Sequence, residues 1–196
     1  MKNKPWRPEV SWFEELTLAI RIYRKDPQVT RNELFKYAMR VTILETMIFE
    51  RLLVELTRAH LKENGCEKPY REEYAYYIEG TLEMPPASQR SLRNKTMLLS
   101  EISNGAFPKD VYRDSEFERR VVYFRNDMIH SNNVEPTALI KEATGSIETY
   151  LKVFQQLLSD LYQSYSKRTN DAFYRKQAQL IQEYYLKPIS LLIKEK

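Results

Sequence analysis

From Leu34 to Leu56 the apolar residues keep to a single helical stripe. Leu34, Tyr37, Ala38, Val41, Leu44, Ile48, Leu52 and Leu56 recur at three- and four-residue intervals over about six turns. A strand would throw alternate members of this set onto opposite faces, so the stripe buries its apolar side only as an α-helix. "TRNE" at Thr30 to Glu33 supplies a capping box at its start, and Gly65 supplies a left-handed stop at its end. A helix of this length exposes far more apolar area than it can bury alone, so the rest of the chain must provide partners. Only four glycines occur in 196 residues, and no run alternates with the two-residue period of a strand. The expected class is all-α, a bundle of four to five main helices.

The partners can be placed from their punctuation. A first helix is expected over about Pro8 to Lys25, stopped by Pro27. The tyrosine-rich stretch from Cys66 to about residue 87, closed by Pro85 and Pro86, reads as a short insert. Ser88 is the expected cap of a third core helix ending near Gly105, and Asp114 or Ser115 that of a fourth. Pro136 suits the first turn of a long helix to about Lys167. Asn170 or Asp171 then caps a last helix, interrupted or ended near Pro188. The expected organisation is one bundle over residues 1–166 and a basic helical extension, 167–196, packed on it.

Composition excludes several classes. At 42% hydrophobic and 30% charged the chain has material for a core, but no window approaches the 18 apolar residues of a membrane span. The first residues lack the apolar segment of a secretory signal, and one cysteine, Cys66, fits a reducing compartment, so a cytoplasmic location is expected. His60, His130 and Cys66 show no metal-ligand spacing, and phosphate-cradling glycine loops and a GxSxG elbow are absent. No metal and no cofactor is expected. His60, near the end of the long helix, is explained by the helix dipole. Net charge is +4, and from Lys167 onward seven cations face three acids, a surplus equal to that of the whole chain. Such a face is compatible with nucleic acid, although a solvated basic helix is the commoner reading.

"VVYFRNDMIHSN", Val121 to Asn132, carries the chemistry. Wound as an α-helix, Phe117, Val121, Val122, Phe124, Met128 and Ile129 share one broad apolar arc, with Arg125 near its centre. Asn126 and His130 are neighbours on its flank. An unpaired guanidinium on a buried face costs several kcal/mol, so Arg125 needs a partner, a wet cleft or a task. Arg125 and His130 suit metal-free cleavage of an RNA phosphodiester. His130 is the acid or base, Arg125 holds the non-bridging oxygens, and Asn126 orients the ring or donates to phosphate. On spacing alone, an Arg paired with an acid and a helix-terminal His is the commoner reading.

"RNDMIH", Arg125 to His130, resembles the R-x4–6-H motif of the HEPN superfamily, including the polar residue after the arginine. The all-α bundle, the late position of the motif and the long helix after it agree, over about residues 10 to 166. The resemblance implies a metal-independent endoribonuclease that leaves 2′,3′-cyclic phosphate ends. It also implies a homodimer in which Arg and His of both chains line one cleft, and a role as a toxin or phage-defence effector. The substrate would be single-stranded or tRNA-like RNA, controlled by an antitoxin or sensor protein. The nucleotidyltransferase-paired branch has Tyr two residues after the His. Here that position is Asn132, so that branch is not supported.

Three further sets are candidates. Glu45, mid-helix among apolar neighbours, is a possible buried partner for Arg125 or His130. Tyr70, Tyr74 and Tyr77 share a stripe that would stack on bases, although packing is the simpler use. Arg119 and Arg120 precede the motif and are possible RNA-backbone contacts. The open alternative is a non-catalytic HEPN module serving as adaptor, dimerisation unit or nucleotide binder.

Overall fold

The computed structural model describes residues 8–26, 28–65, 74, 76–77, 90–129, 147–168 and 170–195. The protein is all-α, and no strand occurs among these residues. In chain order the helices are α1 (Pro8–Lys25), α2 (Arg31–Glu63), α3 (Leu92–Ile102), α4 (Tyr123–Ile129), α5 (Ile147–Ser166), α6 (Ala172–Ile181) and α7 (Lys187–Lys194). π-turns span Glu118–Val122 and Gln182–Leu186, immediately before α4 and α7.

Local chemistry explains most of the boundaries. At the start of α2 the Glu33 backbone N–H donates to Thr30 Oγ1 at 3.3 Å, and the Thr30 backbone N–H donates to Glu33 Oε2 at 3.0 Å. This is the reciprocal box read from the sequence. Gly65, at φ +70°, ends the segment as expected. The cap of α3 is Ser91, whose hydroxyl accepts the Asn94 N–H at 3.1 Å, and not Ser88, which lies outside the described residues. Asp171 caps α6 by accepting the Phe173 N–H at 2.7 Å. Pro188 does not end the helix. It has no N–H to donate and would press on the carbonyl four residues back, and the π-turn at Gln182–Leu186 puts a wider coil directly ahead of it. Most of the tyrosine-rich insert and the stretch containing Pro136 lie outside the described residues.

The chain divides into two compact units. One comprises residues 1–48, 116–155 and 188–196, and the other residues 49–115 and 156–187. In the first, α1 buries Phe13, Leu16, Ala19 and Ile20, and α2 buries Ala38, Val41 and Ile48. Phe117 stacks on Phe154 at 5.3 Å between centroids, and Phe124 meets Phe35 at 6.4 Å and Tyr150 at 5.6 Å. A clamp closes the unit. Arg24 holds Glu148 with Nε and Nη2, at 2.8 and 2.9 Å, while its Nη1 donates to the carbonyls of Leu192, at 2.8 Å, and Glu195. Arg21 adds a bidentate pair to the Glu195 carboxylate at 3.0 and 2.9 Å. The open carbonyls at the end of α7 are thus met by cationic donors, the groups best suited to a helix C-terminus.

The second unit is built on the other half of α2, with Leu52, Leu53 and Leu56 fully buried, and on Phe49 stacked against Tyr112 at 5.6 Å. Lys95 is buried and is neutralised by Glu50. His60 sits among aromatic rings, with centroids 5.8 Å from Tyr165, 4.9 Å from Phe173 and 5.8 Å from Tyr174.

Candidate active site

Arg125 stands one residue beyond a fixed point. Phe124 is buried and wedged between the rings of Phe35 and Tyr150, and Phe117 is fixed against Phe154. Between these anchors the helix widens into the Glu118–Val122 π-turn, closed by the bond from the Tyr123 N–H to the Glu118 carbonyl. Such single turns recur at functional sites because they re-aim the side chains that follow. The apolar arc expected here is partly realised: Phe117, Val121, Val122 and Phe124 are buried, whereas Ile129 is 49% exposed. Arg125 is half-buried, at the edge of the core rather than inside it.

Its guanidinium is incompletely partnered. Nη1 donates to Asn126 Oδ1 at 2.9 Å, while Nε is buried and has no acceptor. No carboxylate lies within ion-pairing distance of Arg125 among the described residues. Asn126 therefore serves first as the acceptor that orients Arg125. His130 follows the last residue of α4 and lies outside the described residues.

Glu45 is not the partner of Arg125. It is fully buried, and neither carboxylate oxygen accepts a hydrogen bond. His130, the other partner expected for Glu45, lies outside the described residues. Burial pushes the Glu45 carboxyl well above the usual carboxylate range, which favours the neutral acid.

The remaining candidates are also placed. Arg119 and Arg120 project from the π-turn and are exposed, but both hold Glu116, Arg119 at 3.1 Å. The hydrogen bond from Arg120 draws the Glu116 carboxyl below its ordinary range. Tyr74 is buried, so its ring presents no face for stacking on a base, and Tyr77, three residues on, is fully buried. Tyr76 is half-buried and edge-on to Tyr77 at 5.0 Å. Aromatic area that can reach a core is withdrawn from water, and these rings follow that rule. Tyr70 lies outside the described residues.

His60 also corrects an expectation. A charged imidazole favouring the C-terminal dipole of α2 is not what the structure holds. The ring is 2% exposed and shares a 2.9 Å hydrogen bond between Nε2 and the Tyr165 hydroxyl. Burial, with the Arg168 charge as a lesser cause, pushes it down to about 4, so at neutral pH it is an uncharged core group. Burial likewise pushes the Tyr165 phenol up.

No group of three His, Cys, Asp or Glu side chains capable of holding a metal occurs among the described residues. Nor is any helix there long and apolar enough to cross a membrane. No protein-family model, no curated protein and no solved structure matches the chain.

Proposed function

We propose that the protein is a metal-independent endoribonuclease of the HEPN kind, with Arg125 and His130 as its catalytic pair. The observation that carries this reading is the state of Arg125. A half-buried cation has one donor committed to a neutral amide, a second donor buried without an acceptor, and no carboxylate at hand. Such a group is short of an anion, and the planar fork of a guanidinium matches two oxygens of a phosphate. In the reaction, His130 takes the proton of the ribose 2′-hydroxyl or returns one to the departing 5′-oxygen. The 2′-oxygen attacks phosphorus, the bond to the 5′-oxygen breaks, and a 2′,3′-cyclic phosphate and a 5′-hydroxyl result. Arg125 stabilises the charge gathering on the non-bridging oxygens, and Asn126 keeps its fork aimed.

The homodimer belongs to this reading. Ile129 lies one turn beyond Arg125 on the same helix face and is exposed, as is Tyr123 at 46%, so α4 offers apolar area beside the guanidinium for a second copy to cover. The substrate is single-stranded or tRNA-like RNA, and a toxin or defence role, held in check by an antitoxin or sensor, follows from what uncontrolled RNA cleavage does to a cell.

The test is cleavage of total tRNA and of a single-stranded RNA pool in EDTA. Wild type is expected to cut and to leave cyclic phosphate ends. His130→Ala and Arg125→Ala are each expected to lose about 10²–10³-fold in rate. Undiminished cutting by His130→Ala would falsify the assignment.

A further inference from the structure

In the second unit, three cations line one groove and none of them is held in an ion pair among the described residues. The groove, about 650 Å³, runs between the last turns of α2 and the length of α6, from Ala172 to Leu180. Arg58 and Lys62 stand on the α2 side and Lys176 on the α6 side. No carboxylate lies within 4 Å of any of the three cationic groups among the described residues. Arg58 donates Nε to the Tyr77 carbonyl at 2.6 Å, which positions it without cancelling its charge. The two acids of the lining are unequal. Glu55 is engaged by the Tyr185 hydroxyl at 2.7 Å and by Arg51 at 3.4 Å. Glu63, the other acid of the lining, is exposed.

The floor is apolar and carries an aromatic ring. Phe173 is half-buried and pinned edge-on to His60, so it presents a rigid ring surface to the groove. Lys167 and Arg168 line a second hollow of about 410 Å³, where Arg168 lies over the Tyr174 ring at 5.0 Å and Asp171 is occupied in capping α6. Of the cations from Lys167 onward, Lys176 therefore lines the groove and Lys167 and Arg168 line the second hollow.

We propose that the α2–α6 groove is a docking site for single-stranded RNA, distinct from Arg125, with Lys62, Lys176 and Arg58 meeting phosphates and Phe173 stacking on a base. Charge selects a polyanion, and a ring set between cations selects one whose bases are free to stack. The proposal rests on the RNA-cleaving reading for the identity of that polyanion. It adds a means of holding a substrate whose cut site lies elsewhere along the strand.

The test uses the full chain carrying His130→Ala, so that RNA stays intact, and a labelled 12-nucleotide single-stranded RNA followed by fluorescence anisotropy from 50 to 200 mM salt. Lys62 and Lys176 are exposed, so reversing both with Lys62→Glu and Lys176→Glu leaves the fold in place, which circular dichroism verifies. Affinity is expected to fall at least tenfold, and the slope of log K against log salt to flatten by about 1.4, for two phosphates at roughly 0.7 each. Glu63→Lys is expected to tighten binding several-fold. Unchanged affinity in the folded double variant overturns the proposal, as does equal binding of duplex RNA or of an acidic peptide through the same residues. Parallel cleavage by wild type separates the two readings. Cutting with a charge-insensitive groove removes only the docking site, and charge-sensitive binding without cutting removes only the nuclease.

Discussion

Arg24 and Arg125 belong to the same compact unit, and each is partly withdrawn from water on a helix. They differ in what surrounds the fork. Arg24 spends Nε and both terminal nitrogens on a carboxylate and two carbonyls. Arg125 has a single amide oxygen, and its Nε is left over. The second unit and the middle of α2 offer a parallel pair: His60, neutral and hydrogen-bonded in an aromatic setting, and Glu45, buried with no bond at all. A saturated buried group is explained by the fold it holds together. An unsaturated one lowers stability, and its persistence calls for a cause outside the packing.

The sharpest way to break this contrast is to delete both arginines in turn. Arg24→Ala removes a clamp that joins α1 to α5 and α7 and strands a carboxylate and two helix-terminal carbonyls. A loss of roughly 3 kcal/mol is expected in urea denaturation. Arg125→Ala removes one neutral-acceptor bond and a desolvated charge, and its stability should stay within about 1 kcal/mol of wild type. Equal losses would mean that Arg125 is a structural residue after all.

Next in size is the pH response of His60. Its folded value of about 4 lies below the ordinary 6.5, so the unfolded chain binds the extra proton first. Stability is complete above pH 6.5, declines as the pH falls towards 4, and is flat below that, a total of at most about 3 kcal/mol. His60→Asn should flatten this part of the profile. A decline of the same size in that variant would place the titration elsewhere.

Glu45 gives the smallest effect and the opposite slope. Its folded value is raised, so the neutral acid costs nothing extra below about pH 4.5, and stability is lost as the pH climbs through the folded value. Glu45→Gln, a similar shape that cannot ionise, should therefore gain stability at pH 7.5, on the order of 1–3 kcal/mol, and little at pH 4.5. A gain independent of pH would show that ionisation of Glu45 is not the source of the cost.

What the chain discloses about itself follows the range of the interactions. Capping and periodicity act within a turn or two, and α1, the α2 box, the Gly65 stop and the Asp171 cap are all legible from neighbouring residues. Arg24 meets Glu148 and Leu192, 124 and 168 positions away, and nothing local marks it as a clamp. His60 looked like a dipole partner because the rings that bury it come from α5 and α6. Glu45 reads as a buried partner of Arg125 or His130 from its apolar neighbours, which mark burial but not what the carboxylate meets, and neither of its oxygens meets a donor. The π-turn before α4 has no signature in residue type, while Pro188 did announce an irregularity near α7.

That first π-turn also sets the phase of the motif. A π-turn is an α-helix carrying one residue too many, so everything after Glu118–Val122 is rotated by roughly 100°, the angular step of one residue, relative to a helix of uniform pitch. The direction in which Arg125 points is in effect recorded as an insertion. Excising any one residue of the turn would leave the motif's letters untouched and swing its arginine a quarter-turn and more from its present heading.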